Sequence, residues 1–525
     1  MLYHVSGLSS APRVRESSGG IVKRFLFAAL LPLCVLLLPG QNSTVGYNQA
    51  FRPQFHFSPR VHWTNDPNGL VFFEGEYHLF YQYNPFGDVW GHMSWGHAVS
   101  RDLLHWDELP VALPEENGVM IFTGSVVIDH TNTSGFCLGG KPCMVAVWTG
   151  FTAKTATKPD LQTQNIAYSN DRGRTWTKYR DNPVLNLNLT DFRDPKVFWS
   201  TQAKQWVMAV SLPNDHKILI YSSADLKHWK RLSEFGPAGA TAGQWECPEL
   251  FEVPLDGKPE TRWILKVGLN PGAVAGGSGE QYFIGHFDGQ RFTDDNPPTT
   301  TLWTDYGKDC YCALTFNNLP KTNPPLTIGW MSNWQYARDT PTSPFRGQMT
   351  LPRKLSLRTT PDGIRLFQQP VDALSTLREA RLEVHEKMEN TGHQFQFSSM
   401  LPLGTAQDAG WKVLANNGTY TSIGYDKQKG VLYVDRTHSG NVSFSKDFPA
   451  RTEAPLKLNG NTLRLNIIVD RDSVEVFADE GRLTITNLVF APAGADKLEF
   501  YATDGKPGVV SGLFWKLKST WLTSH

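Results

Sequence analysis

The sequence lacks an excess of charge of either sign. Lysine and arginine total 50 residues, aspartate and glutamate also total 50, and the formal net charge is +0 with neutral histidines. Proteins that attract nucleic acid or anionic lipid over a long range carry a marked positive excess. The balance therefore argues against both kinds of partner and indicates an uncharged ligand.

The N-terminal hydrophobic run is too short to span a membrane. It covers residues 25–38, which is 14 residues, whereas a transmembrane helix needs about 20. Two basic residues precede it and "PGQNS" follows, which is typical of a signal peptide. We assign residues 1–40 to this peptide and predict a secreted or periplasmic protein with no membrane segment in its mature form. A membrane anchor is the alternative, and the long leader before Lys23 leaves open whether Met1 is the true start.

Cysteine is scarce. Of the six cysteines, five lie beyond the predicted signal peptide, an odd number that excludes a fully paired disulfide framework. Cys137 and Cys143 could close a small loop in "GFCLGGKPC". Cys310 and Cys312 would share one face of a strand, but further metal ligands are not nearby. We expect these two to be small buried residues and predict neither a metal nor a cofactor.

Helical periodicity is also scarce, and the composition favours strands. The chain has 17 Trp, 16 Tyr and 30 Phe together with 45 Gly and 34 Pro, which suits many short strands joined by tight turns. With 525 residues and 40% hydrophobic content, it exceeds the usual size of one core. We predict an all-β protein of two domains.

A repeat predicts stacked β units in the first part of the chain. The segments "SRDLLHWDEL", "SNDRGRTWTKY" and "SSADLKHWKRL" each read as a strand, a polar turn with aspartate and a tryptophan that opens the next strand. Their tryptophans, Trp106, Trp176 and Trp229, lie 70 and 53 residues apart, and "GHFDGQRFTDD" at 285–295 is a degenerate fourth copy. A period of about 60 residues over about 300 predicts a five-bladed β-propeller. A long β-sandwich is the alternative.

The repeat also suggests domain limits. We place the propeller at residues 50–357, a linker at 358–375, where the repeat is lost, and a β-sandwich at 376–525. In the last region, "LRLNIIVDRDSVEVFADEGRLTITNLVF" at 463–490 reads as three strands joined by "DRD" and "DEG" turns.

Three acids stand in compact contexts near predicted strand starts. They are Asp66 in "WTNDPNG", Asp194 in "DFRDPKVFW" and Glu246 in "GQWECPELFEV". Because inner strands of different blades converge at the mouth of a propeller, these side chains are expected to meet there. Two carboxylates that flank a glycosidic bond are the minimum for its hydrolysis. The alternative is that the acids are turn caps and members of ion pairs.

Six motifs follow one another along the chain. They are "WTNDPNG" at 63–69, "FYQYNPFGDVWGHMSWGHAVS" at 80–100, "FTGS" at 122–125, "FRDPKV" at 192–197, "ECPEL" at 246–250 and "GWMSNWQY" at 329–336. In this order they resemble glycoside hydrolase family 32, which includes invertases, levanases and inulinases. The resemblance covers nearly all of 55–520. It implies a five-bladed propeller followed by a β-sandwich, in agreement with the repeat.

The resemblance also implies roles for individual residues. Asp66 is similar to the nucleophile, Asp194 to the transition-state stabiliser and Glu246 to the acid/base. Glu249 is the alternative acid, but it follows the proline instead of occupying the Glu-Cys-Pro position. Thr123 stands where many relatives have serine and keeps the hydroxyl. The positions that would line a fructose pocket are Asn65, Gln82, Trp90, Phe122, Thr123, Arg193, Asp309, Tyr311 and Trp334.

The implied chemistry is the retaining cleavage of a terminal β-fructofuranoside. A nucleophilic Asp66 must be ionised, and we expect backbone N–H groups of a tight turn, together with neighbouring polar side chains, to stabilise its charge. Glu246 must instead hold a proton that it gives to the leaving oxygen. Arg193 and Asp194 would hold ring hydroxyls of the sugar.

Several readings of the function stay open. The motif spellings are most similar to those of exo-acting levanases and inulinases, with invertase as the close alternative. A fructosyltransferase would share every catalytic residue. A non-catalytic sugar-binding propeller is disfavoured because all three acids are present. The expected partner is a fructan or sucrose, and the sequence does not indicate an oligomeric state.

Overall fold

Almost every regular element of the computed structural model is a β-strand, in agreement with the prediction. The structure describes residues 46–521, so the predicted signal peptide lies outside the described residues. The helices in this part of the chain are three short 3-10 turns, Pro213–Asp215, Asp372–Leu377 and Asp479–Gly481. Between residues 46 and 521, no helix is long and apolar enough to cross a membrane.

The first 23 strands form five antiparallel sheets, which are the blades of a propeller. Blade 1 contains β1 (His62–Phe73), β2 (Glu76–Asn84), β3 (Ser94–Ser100) and β4 (Trp106–Leu113). Blade 2 contains β5 (Val119–Asp129), β6 (Cys143–Thr152), β7 (Leu161–Ser169), β8 (Thr177–Lys178) and β9 (Leu185–Leu189). Blade 3 contains β10 (Arg193–Ser200), β11 (Gln205–Leu212), β12 (Lys217–Ser223) and β13 (Lys230–Phe235).

The next two blades complete the ring. Blade 4 contains β14 (Gln244–Pro254), β15 (Thr261–Asn270), β16 (Gly279–Phe287), β17 (Phe292–Asp294) and β18 (Leu302–Trp303). Blade 5 contains β19 (Tyr311–Thr315), β20 (Leu326–Trp330), β22 (Arg353–Thr360) and β23 (Gly363–Pro370), while β21 (Phe345–Arg346) leaves it to pair in parallel with β1. This pairing joins the last blade to the first and closes the ring.

The sequence repeat corresponds to one turn in successive blades. In each of three copies the tryptophan indole N–H donates to the carbonyl oxygen three residues earlier, from Trp106 to Leu103, Trp176 to Gly173 and Trp229 to Leu226. The serine two residues before the aspartate of each copy donates to its carboxylate. The turn residues therefore satisfy one another locally, which is why the pattern recurs at the blade period.

The predicted linker at 358–375 is wrong over most of its length. Residues 358–370 belong to β22 and β23, which pair from Arg353↔Pro370 to Thr360↔Gly363 as the outer hairpin of blade 5. This hairpin turns at "TPDG" and lacks the aspartate–tryptophan turn of the other blades. The absence of the motif from this segment therefore reflects a different turn sequence in blade 5 and not the end of the propeller.

The remaining strands form two stacked six-stranded sheets, as predicted for a β-sandwich. One sheet contains β24 (Leu382–Val384), β35 (Ser511–Lys516), β26 (Phe395–Pro402), β31 (Thr462–Asp470), β32 (Ser473–Ala478) and β33 (Leu483–Leu488). The other contains β25 (Lys387–Met388), β34 (Lys497–Thr503), β27 (Asp408–Asn416), β28 (Thr419–Asp426), β29 (Val431–Asp435) and β30 (Arg451–Pro455). The predicted three strands of 463–490 are β31, β32 and β33.

Buried ion pairs join the sandwich to the propeller. Arg353 on β22 donates to Asp305 at 3.0 Å and to Glu475 of β32 at 2.8 Å. Arg436, which follows β29, donates to Asp309 at 2.6 Å, and both side chains are fully buried. A buried charge that loses its partner is strongly destabilising, so these pairs hold the two domains in one arrangement.

We expect Arg436→Met to lower the free energy of unfolding by about 3–5 kcal/mol, because the change keeps side-chain volume but leaves Asp309 as an uncompensated buried charge. Arg358→Met is the matched control, since Arg358 also pairs across the domain interface, with Glu480, but in an exposed position. Its loss should be about 0–1 kcal/mol. Urea unfolding of both variants measures the difference, and equal losses would contradict the role given to the buried pair.

Candidate active site

The innermost strands of the five blades share one irregularity. β1, β5, β10, β14 and β19 contact one another in that order around the propeller axis. Each loses its regular register with the neighbouring strand of its own blade at one level, between Thr64 and Pro67, Ile121 and Gly124, Arg193 and Lys196, Glu246 and Glu249, and Tyr311 and Leu314. A bulge re-aims side chains relative to a regular strand. The five bulges are the positions from which the candidate site is built.

Asp66 lies inside the bulge of β1 and not at a strand end, because β1 continues to Phe73. Of the two kinds of donor expected, a polar side chain and not a backbone N–H is its partner: the hydroxyl of Thr123 donates to Oδ2 at 2.9 Å. The other oxygen, Oδ1, is buried and accepts no hydrogen bond from the described residues. Burial and the charges of Asp194 and Glu246 raise the pKa of Asp66 to about 7. One oxygen is thus anchored while the other has a free lone pair.

Asp194 occupies the bulge of β10 with φ of 67°, a left-handed backbone conformation that few non-glycine residues adopt. Its own N–H donates to Thr149 Oγ1 at 2.9 Å, and its Oδ2 accepts from the N–H of Cys247 at 2.9 Å. Burial raises the pKa of this carboxyl to about 7, although the Arg193 guanidinium acts in the opposite direction.

Glu246 lies in the bulge of β14 and accepts hydrogen bonds on both oxygens. Arg193 Nε donates to Oε1 at 3.0 Å, and the Tyr311 hydroxyl donates to Oε2. Burial and the charge of Glu246 raise the pKa of Tyr311 well above its usual value, so the phenol keeps its proton. Two further carboxyls of the cluster, Asp66 and Asp194, have raised pKa values; the role of Glu246 as the acid stays a prediction.

Arg193 is the cation of this cluster, and four groups hold it. Besides Glu246, it donates to Asp191 at 2.7 Å, to Gln244 at 3.0 Å and to Gln162 at 3.3 Å. Ion pairing with Glu246 was not foreseen, since the sequence suggested contacts with sugar hydroxyls only. A guanidinium fixed on several sides places its charge between the carboxylates without moving.

The three acids open into one pocket of about 340 Å³. Ten of the twelve predicted site residues line it, namely Asn65, Asp66, Gln82, Trp90, Phe122, Thr123, Arg193, Asp194, Glu246 and Trp334. Tyr311 reaches it only through its bond to Glu246. Lining residues that the motifs did not indicate are Phe151, Gln162, Asp191, Gln244, Asn270 and Arg338. Asp191 stands two residues before Arg193, and Gln244 stands two residues before Glu246, so both lie beside residues that the motifs did indicate.

Asp309 is the predicted pocket residue that the structure places elsewhere. It is fully buried at the domain interface, where Tyr336 donates to Oδ1 at 2.6 Å and Arg436 donates to Oδ2 at 2.6 Å. It is absent from the lining of the described pocket. The sequence could not reveal this because Arg436 lies 127 residues away.

Glu249 has a structural role that separates it from Glu246. It is fully buried, pairs with Lys196 at 3.1 Å and accepts from the backbone N–H of Thr315 at 2.9 Å. It therefore ties blades 3, 4 and 5 together below the pocket.

The cysteines correct another expectation. Cys137 and Cys143 form the disulfide that the sequence allowed, but Cys312 is bonded to Cys247, and only Cys310 among the described residues is a free, buried thiol. Two clusters combine such a cysteine pair with an acid, Asp129 in one and Asp66 in the other. In both, the sulfurs are bonded to each other and are not available as thiolate ligands of a metal.

Comparison with known proteins decides the family. The model of the N-terminal domain of glycosyl hydrolases family 32 matches residues 56–370, and the model of the family's C-terminal domain matches residues 358–516. The chain belongs to glycosyl hydrolase family 32. The resemblance read from the six motifs is thereby confirmed.

Relatives of this family-32 glycosidase match over nearly its whole length. Levanase of Bacillus subtilis is 46% identical over 91% of this chain and 72% of its own. The extracellular exo-inulinase of Aspergillus awamori is 41% identical over 93% of this chain and 98% of its own. The crystal structure of exo-inulinase from the same fungus aligns with a TM-score of 0.86 at 40% identity over 91% of this chain and 100% of the other. The β-fructofuranosidase of Schwanniomyces occidentalis complexed with fructosyl-erythritol aligns with a TM-score of 0.80 at 34% identity over 91% and 100%.

We expect Asp66→Asn to stabilise the protein at neutral pH. The folded pKa of about 7 lies above the unfolded value of about 3.9, so Asp66 lowers stability progressively as pH rises from about 4 to about 7. The variant should therefore have the higher melting temperature at pH 7.5, and the gap should shrink towards pH 4. Asp107→Asn, on exposed Asp107 of β4, controls for the loss of a carboxylate. A pH-independent gap, or a less stable variant at pH 7.5, would refute the assignment of a raised pKa.

Proposed function

We propose that this protein is a secreted exo-acting glycosidase that releases terminal β-D-fructofuranosyl residues from levan, inulin and sucrose. The observation that carries the proposal is one pocket in which three carboxylates, Asp66, Asp194 and Glu246, lie together and the Arg193 guanidinium donates to Glu246. The names of the relatives, levanase and extracellular exo-inulinase, favour fructans as substrates.

The proposed reaction is a retaining double displacement. Glu246 protonates the leaving oxygen while Asp66 attacks the anomeric carbon, and water then releases fructose with Glu246 as the base. Oδ1 of Asp66 is buried and accepts no hydrogen bond from the described residues, so no hydrogen bond to it has to break when the carboxylate turns towards the anomeric carbon. The hydroxyl of Thr123 meanwhile holds the other oxygen.

The raised pKa values in the site favour activity at acidic pH. Raised pKa values on Asp66 and Asp194 mean that the cluster binds a proton below about pH 7. Activity requires that proton on Glu246 and a charged Asp66. Transfer within the cluster meets both conditions, and the fixed charge of Arg193 lowers the energy of the remaining carboxylates. The rate should therefore follow a bell-shaped pH profile.

The shape of the pocket supports attack at a chain end. Trp90, Phe122 and Trp334 line one part of its wall, and Phe151 stacks on Phe122 with ring centroids 4.8 Å apart. A pocket enclosed in this way accepts a terminal ring more readily than the interior of a polymer. Arg193 and Asp194 are placed to contact ring hydroxyls as positive charge develops on the sugar.

Secretion has three supports. The N-terminal sequence has the pattern of a signal peptide, relatives include extracellular exo-inulinases, and the described chain contains two disulfides. Disulfides persist mainly in oxidising compartments.

Asp66→Ala and Glu246→Ala should each reduce turnover of fructosides by at least about 1,000-fold, because each removes a chemical role and little packing. Glu249→Gln should reduce turnover far less, although it should lower stability through loss of the charge that faces Lys196. Steady-state rates on sucrose, corrected for the folded fraction, test this. Equal rate losses at Glu246 and Glu249 would overturn the acid assignment.

Early digests of inulin and levan should contain free fructose and few oligosaccharides, because only a chain end fits the pocket. Chromatography of products at low conversion, with sucrose digested in parallel, measures both the mode of attack and the preferred substrate. The Asp66→Ala protein, prepared identically, controls for a contaminating fructanase. A predominance of oligosaccharides over fructose would contradict the exo mode.

A further inference from the structure

Two of the five inner strands are joined covalently. The disulfide between Cys247 and Cys312 connects β14 of blade 4 to β19 of blade 5, and both cysteines are almost fully buried. The two strands belong to different sheets, and no backbone ladder pairs them in the described chain. Hydrogen bonds from Tyr311 to Glu246 and from Thr315 to Glu249 also connect the two strands, and the disulfide is the covalent link between them.

The disulfide lies directly behind the acid Glu246. Each half-cystine follows a residue of the candidate site in sequence, Cys247 after Glu246 and Cys312 after Tyr311. The side chains of Glu246 and Tyr311 are hydrogen bonded to each other. Both half-cystines lie in the strand bulges with left-handed backbone, at φ of 49° and 47°. A shift of either strand would therefore separate the phenol from the carboxylate.

The same bond contacts the other two acids. The N–H of Cys247 donates to Asp194 Oδ2 at 2.9 Å, and the sulfur of Cys247 lies 3.8 Å from Asp66 Oδ2.

Burial raises the pKa of the remaining thiol, Cys310, well above its usual value, so it stays protonated and is a poor nucleophile towards the disulfide.

We propose that the Cys247–Cys312 disulfide is a positioning element of the active site, which holds Tyr311 on Glu246 and the Cys247 amide on Asp194. The inference rests on the proposed function, in which Glu246 is the acid/base. The charged or titratable groups in contact with Glu246 or close to it are Arg193, Tyr311, Asp66 and Asp194, and Asp191 and Arg338 also line the pocket. Of these, Tyr311 is the one whose strand the disulfide ties to that of Glu246.

The primary experiment compares two double variants. Peptide mapping without reduction first establishes the Cys247–Cys312 link in the wild-type protein. Cys247→Ala with Cys312→Ala should lower kcat on sucrose at least about tenfold, with a smaller effect on KM, because the loss concerns the geometry of the acid. The alkaline limb of this double variant's pH–rate profile should move to higher pH, because Glu246 loses a hydrogen bond that favours its charged form. Cys137→Ala with Cys143→Ala, which removes the other disulfide, should stay within about twofold on both measures.

A coupling test separates positioning from general stability. Tyr311→Phe removes the phenol hydroxyl and should move the alkaline limb in the same direction as the Cys247/Cys312 double variant. If the disulfide acts through Tyr311, adding Tyr311→Phe to the double variant should produce no further shift of that limb. Independent shifts that add, an unchanged profile in the double variant, or absence of the link in the wild-type protein would each overturn the inference.

A second measurement applies if the alanine pair does not fold. Wild-type protein is treated with a phosphine reductant, its activity is assayed, and alkylation with mass spectrometry then counts the opened bonds. Loss of turnover should follow opening of Cys247–Cys312 and not of Cys137–Cys143, whereas full turnover with the first bond open would overturn the proposal. Wild-type protein that releases no fructose before reduction would instead count against the proposed function.

Discussion

Mutual repulsion among three neighbouring carboxylates, two of them buried and Glu246 partly buried, is the constraint on which the rest of the structure depends. Asp66, Asp194 and Glu246 share one pocket, and burial together with their mutual charge raises the pKa values of the two aspartates to about 7. Arg193 contacts the cluster directly through Glu246, and Asp191, Gln162 and Gln244 fix its orientation. Such a site persists only if the surrounding strands hold it against relaxation.

The ring of blades keeps the strands around the site from relaxing. Each inner strand carries its functional residues in a bulge, which is a local departure from the ladder that neighbouring strands must compensate. The pairing of β21 with β1 closes the ring, the buried pair of Lys196 and Glu249 ties three blades together, and a disulfide joins β14 to β19. The sandwich adds buried ion pairs such as that of Arg436 with Asp309 of the propeller. Stability and chemistry are thus connected through the inner strands.

The number of blades and the motifs of the site could be predicted because each depends on a short stretch of sequence. The aspartate–tryptophan turns recur because each satisfies its own hydrogen bonds, so the blade count could be predicted from three copies and a degenerate fourth. The same locality explains the failure at 358–370, where a hairpin without that turn was read as a linker. The motifs around Asp66, Asp194 and Glu246 were recognisable for a similar reason, since each is a run of a few residues within one bulge.

The sequence by itself determined the all-β class, the five-bladed propeller with its sandwich, the family and ten of the residues that line the pocket. The tertiary structure alone decided the partners of those residues: Thr123 and not a turn amide for Asp66, Arg193 and Tyr311 for Glu246, Arg436 for Asp309, and Cys247 for Cys312. It also decided that the groups with raised pKa values are Asp66 and Asp194. The physical reason is the separation along the sequence between the interacting residues. Turns and strand patterns arise from interactions between residues close in sequence, whereas these partners are 53 to 127 residues apart and meet only when the blades and the sandwich assemble.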